Sequence, residues 1–179
     1  MYLKTTAVMF SLLVSGCAST PFGQLEKQHT LTNESTAVVK VFPNNFQIGV
    51  YAGIEKEGYF IPEKLIYDDQ PSGDFAVLNV KGNQLIAILD VKPATSKKQR
   101  QKFSACYGGG DVYVFEIPSE PEPKAYYTYA IHYRYSGGRL SIKSYDDFVT
   151  SKDEFSEQYP NIIELEKLEV KTLKIKEGC

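Results

Sequence analysis

Two stretches of the chain, 74–91 and 126–145, each consist of two apolar-rich arms joined by a glycine-containing pair, Gly82-Asn83 and Gly137-Gly138. The arms alternate with a period of two, the side-chain spacing of a β-strand. Such pairs accept the positive φ of a two-residue hairpin turn. Pairing Lys81 with Gln84 predicts a hairpin of Asp74–Val80 with Gln84–Val91. Val80 then faces Leu85, Leu78 faces Ala87, and Ala76 faces Leu89. Val77 meets Ile88 on the other side, so both faces are apolar and this hairpin is expected at the centre of the fold. Pairing Ser136 with Arg139 predicts a second hairpin, Tyr126–Tyr135 with Leu140–Tyr145. One face carries Ile131, Tyr133, Tyr135, Leu140 and Ile142; the other carries His132, Arg134, Ser141 and Lys143. That is a half-buried hairpin with one wet side.

The rest of the chain from Thr36 onward follows the same pattern. Ala37–Phe42 and Phe46–Ile54 read as strands separated by Pro43-Asn44-Asn45. Tyr59–Ile61 and Leu65–Tyr67 are short candidates on either side of Pro62, and 68–73 is a loop by composition. Thr95–Phe103 is polar and basic and fits either a helical turn or an exposed loop. Cys106–Gly110 leads into the strand Asp111–Ile117, and Pro118–Pro123 forms a stiff acidic loop. Asp146–Tyr159 places Phe148 and Phe155 seven apart, as on one face of a short helix ended by Pro160. Leu165–Ile175 is expected as a final strand. Thirteen tyrosines and ten phenylalanines, with no tryptophan, suit strands. About eight strands, tight turns and one short helix predict a single mainly β domain, an antiparallel sandwich or small barrel.

Nothing in this domain assembles a catalytic set. A nucleophile needs a base within reach. His132 falls on the wet face of its hairpin beside Lys143, and His29 lies outside the β pattern. Gly108-Gly109-Gly110 lacks the Lys-Ser/Thr and helix that a phosphate loop requires; Asp111 and a strand follow. Asp146-Asp147 and Asp153-Glu154 lack the spacing of a calcium loop. With two histidines and no ligand spacing, neither metal nor cofactor is expected. The net charge of −2 argues against a nucleic-acid partner. The one dense basic cluster, Lys97–Lys102, reads as a solvated loop, with anionic headgroups or an acidic glycan as the alternative. Tyr127, Tyr129, Tyr133 and Tyr135 share one phase; they read as sheet filler, with an exposed peptide- or sugar-binding stripe as the alternative.

The start of the chain carries a different message. Lys4 precedes the apolar run Ala7–Val14, which is followed by small residues and Cys17. A charged n-region, a short apolar h-region and small residues describe a secretory signal. The run is far shorter than the roughly 20 residues of a membrane span. Val14-Ser15-Gly16-Cys17 resembles the lipobox of bacterial lipoprotein precursors. That resemblance implies lipidation of the Cys17 thiol, cleavage before it, and acylation of the new N-terminus. In a cell with an outer membrane, Ala18 in place of Asp implies the outer membrane. Residues 1–16 are then a cleaved signal, 17–34 a lipidated start and flexible tether, and 35–179 the β domain. The tether would span roughly 20 Å as a flexible coil.

With Cys17 assigned to lipid, Cys106 and Cys179 remain. An even pair in an oxidising compartment suggests a disulfide between them; two free thiols, or Cys179 bonded to a partner, are the alternatives. The expected function is that of a membrane-anchored, non-enzymatic envelope lipoprotein. It would hold the bilayer through acylated Cys17 and bind or support an envelope protein or glycan. The β layout also resembles small β-sandwich lipoproteins. The rival readings are a ligand-binding lipoprotein with a barrel cavity and, third, an enzyme acting on envelope polymers.

Overall fold

A computed structural model describes residue 31 and residues 34–93, 103–136, 139–162 and 164–179, with Tyr135 described by its backbone alone. The strands are β1 (Ser35–Phe42), β2 (Phe46–Lys56), β3 (Tyr59–Asp69), β4 (Phe75–Val80), β5 (Gln84–Pro93), β6 (Phe103–Ser104), β7 (Gly110–Ile117), β8 (Ala125–Ser136), β9 (Arg139–Tyr145), β10 (Leu165–Lys167) and β11 (Val170–Ile175). Two helices join them, α1 (Ala105–Gly108) and α2 (Phe148–Gln158). The domain is mainly β, as the alternation predicts.

The strands form two sheets. In the first, the order is β10-β8-β1-β4, and β9 continues the edge of β8 beyond β10. In the second, β2-β3-β11-β7-β5 closes on itself through β2–β5, giving a five-stranded barrel with β6 attached to β5. Most pairs are antiparallel, but β1–β8, β10–β8 and β3–β11 are parallel. Phe60, Ala87, Val112, Val114, Leu173 and Ile175 fill the barrel. Eight strands are needed before a barrel holds even one small ligand, so five leave room only for packed side chains. The barrel's outer wall packs on one face of the first sheet through a shared core that includes Val39, Val41, Ile48, Leu78, Ile86 and Phe115. Helix α2 covers the other face, burying Val38, Phe75, Val77 and Tyr127 under Phe155 and Tyr159.

The first expected hairpin is not formed. β4 pairs with β1, Phe75 opposite Lys40 and Val80 opposite Ser35, while β5 pairs with β2 and β7 in the other sheet. Gly82-Asn83 is a corner between sheets. Asn83 alone takes a positive φ, 57°. Its N–H donates to the Ile117 carbonyl at 2.9 Å. A Cβ on Gly82 would lie 3.0 Å from the Pro118 carbonyl oxygen, so glycine serves close approach there. The physical reason lies in the double apolar pattern itself. Each strand has two faces to bury, and stacking the sheets provides two layers for each. β4 sends Ala76 and Leu78 toward the barrel and Phe75 and Val77 toward α2. β5 sends Ile86 and Val91 toward the first sheet and Ala87 and Leu89 into the barrel.

The second hairpin forms in the expected register, with Tyr133 opposite Ile142 and Ser136 opposite Arg139. Its turn, Gly137-Gly138, lies outside the described residues. Two other expectations change. β3 runs unbroken through Pro62, because its register with β2 slips twice, between Val50 and Tyr51 and between Ala52 and Gly53. Such bulges accommodate a residue that cannot donate to the ladder. The final segment divides into β10 and β11, and buried Leu168 marks the crossing from the first sheet to the barrel. Its N–H is held by the Tyr127 carbonyl at 2.8 Å.

Cys106 and Cys179 are joined in a disulfide, with Cα atoms 5.1 Å apart. It ties α1 to the stretch beyond β11, and the Gly178 N–H donates to the Cys106 carbonyl at 2.6 Å.

Candidate functional site: a groove between the β8–β9 wing and the barrel

The site originates in one extra residue of β8. Val38 pairs with Tyr127, but Lys40 pairs with Ala130, so Thr128 and Tyr129 together oppose Val39. The Thr128 hydroxyl donates to the Val38 carbonyl at 3.1 Å and closes the bulge. A bulge reverses the facing of all later side chains. Tyr127 therefore packs beneath α2, whereas Tyr129, Ile131 and Tyr133 turn to the barrel.

A second irregularity opens the barrel wall opposite them. β5 pairs with β7 only over Gln84–Ala87; its register with β2 slips by one residue at Leu89, and its other edge then pairs with β6 at Asp90 and Val91. The first half of β7 is thus parted from β5, and α1 sits in the gap. Between this gap and the wing of β8 and β9 runs a groove of about 690 Å³. Its walls are Ile88 and Val91 of β5, Tyr113 of β7, Tyr129 and Tyr133 of β8, and Leu140 and Ile142 of β9. A neighbouring hollow of about 500 Å³ shares Tyr113, Tyr129 and Ser144 and extends to Leu168 and Val170. Tyr113 meets Tyr129 edge-on at 6.0 Å, and Tyr129 stacks on Phe115 at 4.7 Å. Ile142 remains 53% exposed at the rim and Tyr113 47%, so apolar surface is left uncovered there.

Burial drives the Tyr129 and Tyr133 phenols well above their ordinary range, so both stay neutral across the physiological range. The groove offers aromatic faces, aliphatic surface and neutral hydroxyls. Its charges sit outside the apolar floor, among them Asp111, Asp146, Lys167 and Glu169. Such a lining supports dispersion contacts and hydrogen bonds.

The residues singled out in the sequence fall elsewhere. Cys17, His29 and Lys97–Lys102 lie outside the described residues. His132 is exposed on the wet face, between Phe42 at 5.1 Å and Tyr145 at 4.7 Å. Gly108 ends α1, and Gly109 and Gly110 turn the chain into β7 with φ of 63° and 109°. Three of the acidic residues near α2 serve ion pairs. Asp146 binds Lys167, and Lys40 binds both Asp147 at 2.9 Å and Glu154 at 2.7 Å. Among the described residues no group of three or more His, Cys, Asp or Glu is placed to hold a metal. The one fully buried carboxylate among them, Asp90, accepts from the Tyr51 hydroxyl at 2.6 Å. The tyrosines fill the sheets, as their main reading expects, but the bulge divides the phase they were to share: Tyr127 faces α2 while Tyr129 and Tyr133 face the barrel, with Tyr127 and Tyr133 at most 4% exposed.

The fold and groove define a mainly β protein, a small filled barrel backed by a second sheet and a helix, with an aromatic groove at their junction. Comparison with protein-family models, with curated proteins and with solved structures finds no match.

Proposed function

We propose that the protein is a bacterial lipoprotein, held on the cell envelope through acylated Cys17, that acts by binding a partner rather than by catalysis. The observation that carries this reading is Val14-Ser15-Gly16-Cys17 behind a charged and then apolar start. The Cys106–Cys179 disulfide supports it, since stable disulfides belong mainly to oxidising compartments. A single acyl chain anchors marginally, whereas several chains on one cysteine anchor firmly. Ala18 after Cys17 supports the outer membrane as the destination. The aromatic groove supports a binding role. A second reading, a small apolar ligand in the groove, is favoured by its volume, which lies within the range of small-molecule sites. The barrel interior does not serve that reading, because side chains fill it.

The test is the intact mass of the protein extracted from membranes of a bacterial host expressing the full precursor. The expected mass is that of a chain beginning at Cys17 plus a diacylglyceryl group and a further acyl chain. Cys17→Ser should abolish the added mass and release the protein from the membrane fraction. An unmodified mass for the parent chain would overturn the anchor.

A further inference from the structure

We propose that the outer edge of β9 receives an extended segment of a partner protein as an added strand, with apolar and acidic side chains alternating. Three observations carry this. First, among the described residues β9 pairs with β8 alone. Every second backbone N–H and C=O along it therefore points away from the sheet, the template on which β-addition is built. Second, the two faces of β9 differ. Leu140 and Ile142 line the groove, so an added strand would set every second side chain into that groove beside Ile142. Third, the opposite face is cationic. Arg139 and Lys143 of β9 and Arg134 of β8 lie on it, exposed, and none of the three makes an ion pair with another described residue. No Asp or Glu occurs from Ala125 to Tyr145, in a chain whose net charge is −2. Opposite charges on neighbouring strands attract and like charges repel. Two copies pairing through β9 would bring these cations together, so the edge is set against self-association and toward an acidic partner. This names the partner class for the binding role proposed above and does not depend on the lipid anchor.

The test uses the unacylated chain from Ala18 onward, which keeps every apolar residue that is buried among the described residues, since these run from Ala37 to Ile175. The probe is a dye-labelled octapeptide alternating Ile and Glu, followed by fluorescence anisotropy. A matched peptide with Lys for Glu should bind at least about tenfold more weakly. The Ile–Glu peptide methylated at every second amide, made in both phases, should lose binding in one phase. Added salt should weaken the acidic peptide. The double variant Arg139→Glu with Lys143→Glu should invert the preference and bind the Lys peptide, an outcome that misfolding cannot produce. No binding, equal binding of the two peptides, full binding in both methylated phases, or self-association of the chain through β9 would each overturn the proposal. Intact mass reads the anchor by itself, so either conclusion can fail without the other.

Discussion

At Gly53, opposite Pro62, an added Cβ would come within 2.2 Å of the Ile61 carbonyl oxygen and 2.9 Å of the Phe60 ring. Neither neighbour can yield cheaply, because one is backbone and the other is packed inside the barrel. Gly53→Ala should therefore destabilise the domain by about 2 kcal/mol or more, read as a lower urea midpoint with an unchanged slope. Nothing around Gly53 in the sequence marks it, since the constraint comes from a bulge on another strand. Lys40 is a similar case. It stands in the apolar strand AVVKVF as a polar interruption, and the structure gives it a purpose. Burial pulls its pKa down, but Glu154 and Asp147 outweigh that and raise it above 10.5. The ammonium pins α2 onto β1. The same limit applies to the tyrosines. Their residue type predicts strand, but the single extra residue at Thr128–Tyr129 decides which face each one takes.

Among the elements, α2 is the clearest success of periodicity. Phe148 and Phe155 fall on one face as their spacing predicts, and Phe155 is fully buried, stacked on Tyr159 at 4.8 Å and edge-on to Phe75 at 5.4 Å. Phe155→Ala should cost about 3–5 kcal/mol, measured by chemical denaturation. The disulfide is an element-scale constraint as well. Its two cysteines are separated by 73 positions, and it fastens α1 over the parting of β5 and β7. Replacing both cysteines by serine should lower stability by about 4 kcal/mol in the chain-entropy account. It should also loosen α1, seen as faster amide exchange at Ala105–Gly108. The β4–β5 corner shows where element reasoning fails. A glycine-asparagine pair between two apolar runs satisfies a hairpin and a corner equally. The choice depends on which strands are available to pair, and that is not local information.

Over the whole molecule, the dense burial of tyrosine has a consequence for pH. Tyr127 is pushed up to about 12 by burial, against the Ser151 hydrogen bond that pulls it down, and Tyr129 and Tyr133 are raised by burial. A group whose folded pKa is raised contributes stability that is full below its unfolded value and is lost as pH rises through the folded one. The tyrosines thus begin to lose their contribution above pH 10.0, and Lys40 follows above 10.5. Stability should be flat with respect to these groups at neutral pH and fall steeply beyond 10. Phenolate absorbance from the buried rings should appear together with unfolding. Gradual titration of those rings in a chain still folded by circular dichroism would contradict this account.

The sequence by itself determined the class of the domain, the β8–β9 register and helix α2, and it suggested the disulfide of Cys106 with Cys179 that the structure forms. Each of these rests on local periodicity, turn chemistry or the small number of cysteines. The expectation at Cys17 is likewise local, a run of neighbouring residues. Tertiary structure alone decided the closure of the barrel, the parallel pairs, the separation of β4 from β5 and the existence of the groove. Those features depend on bulges at Tyr129 and Leu89 and on two layers competing to cover strands that are apolar on both sides. A one-residue slip reverses a whole face, and the alternation of a single strand carries no record of which neighbour will impose it.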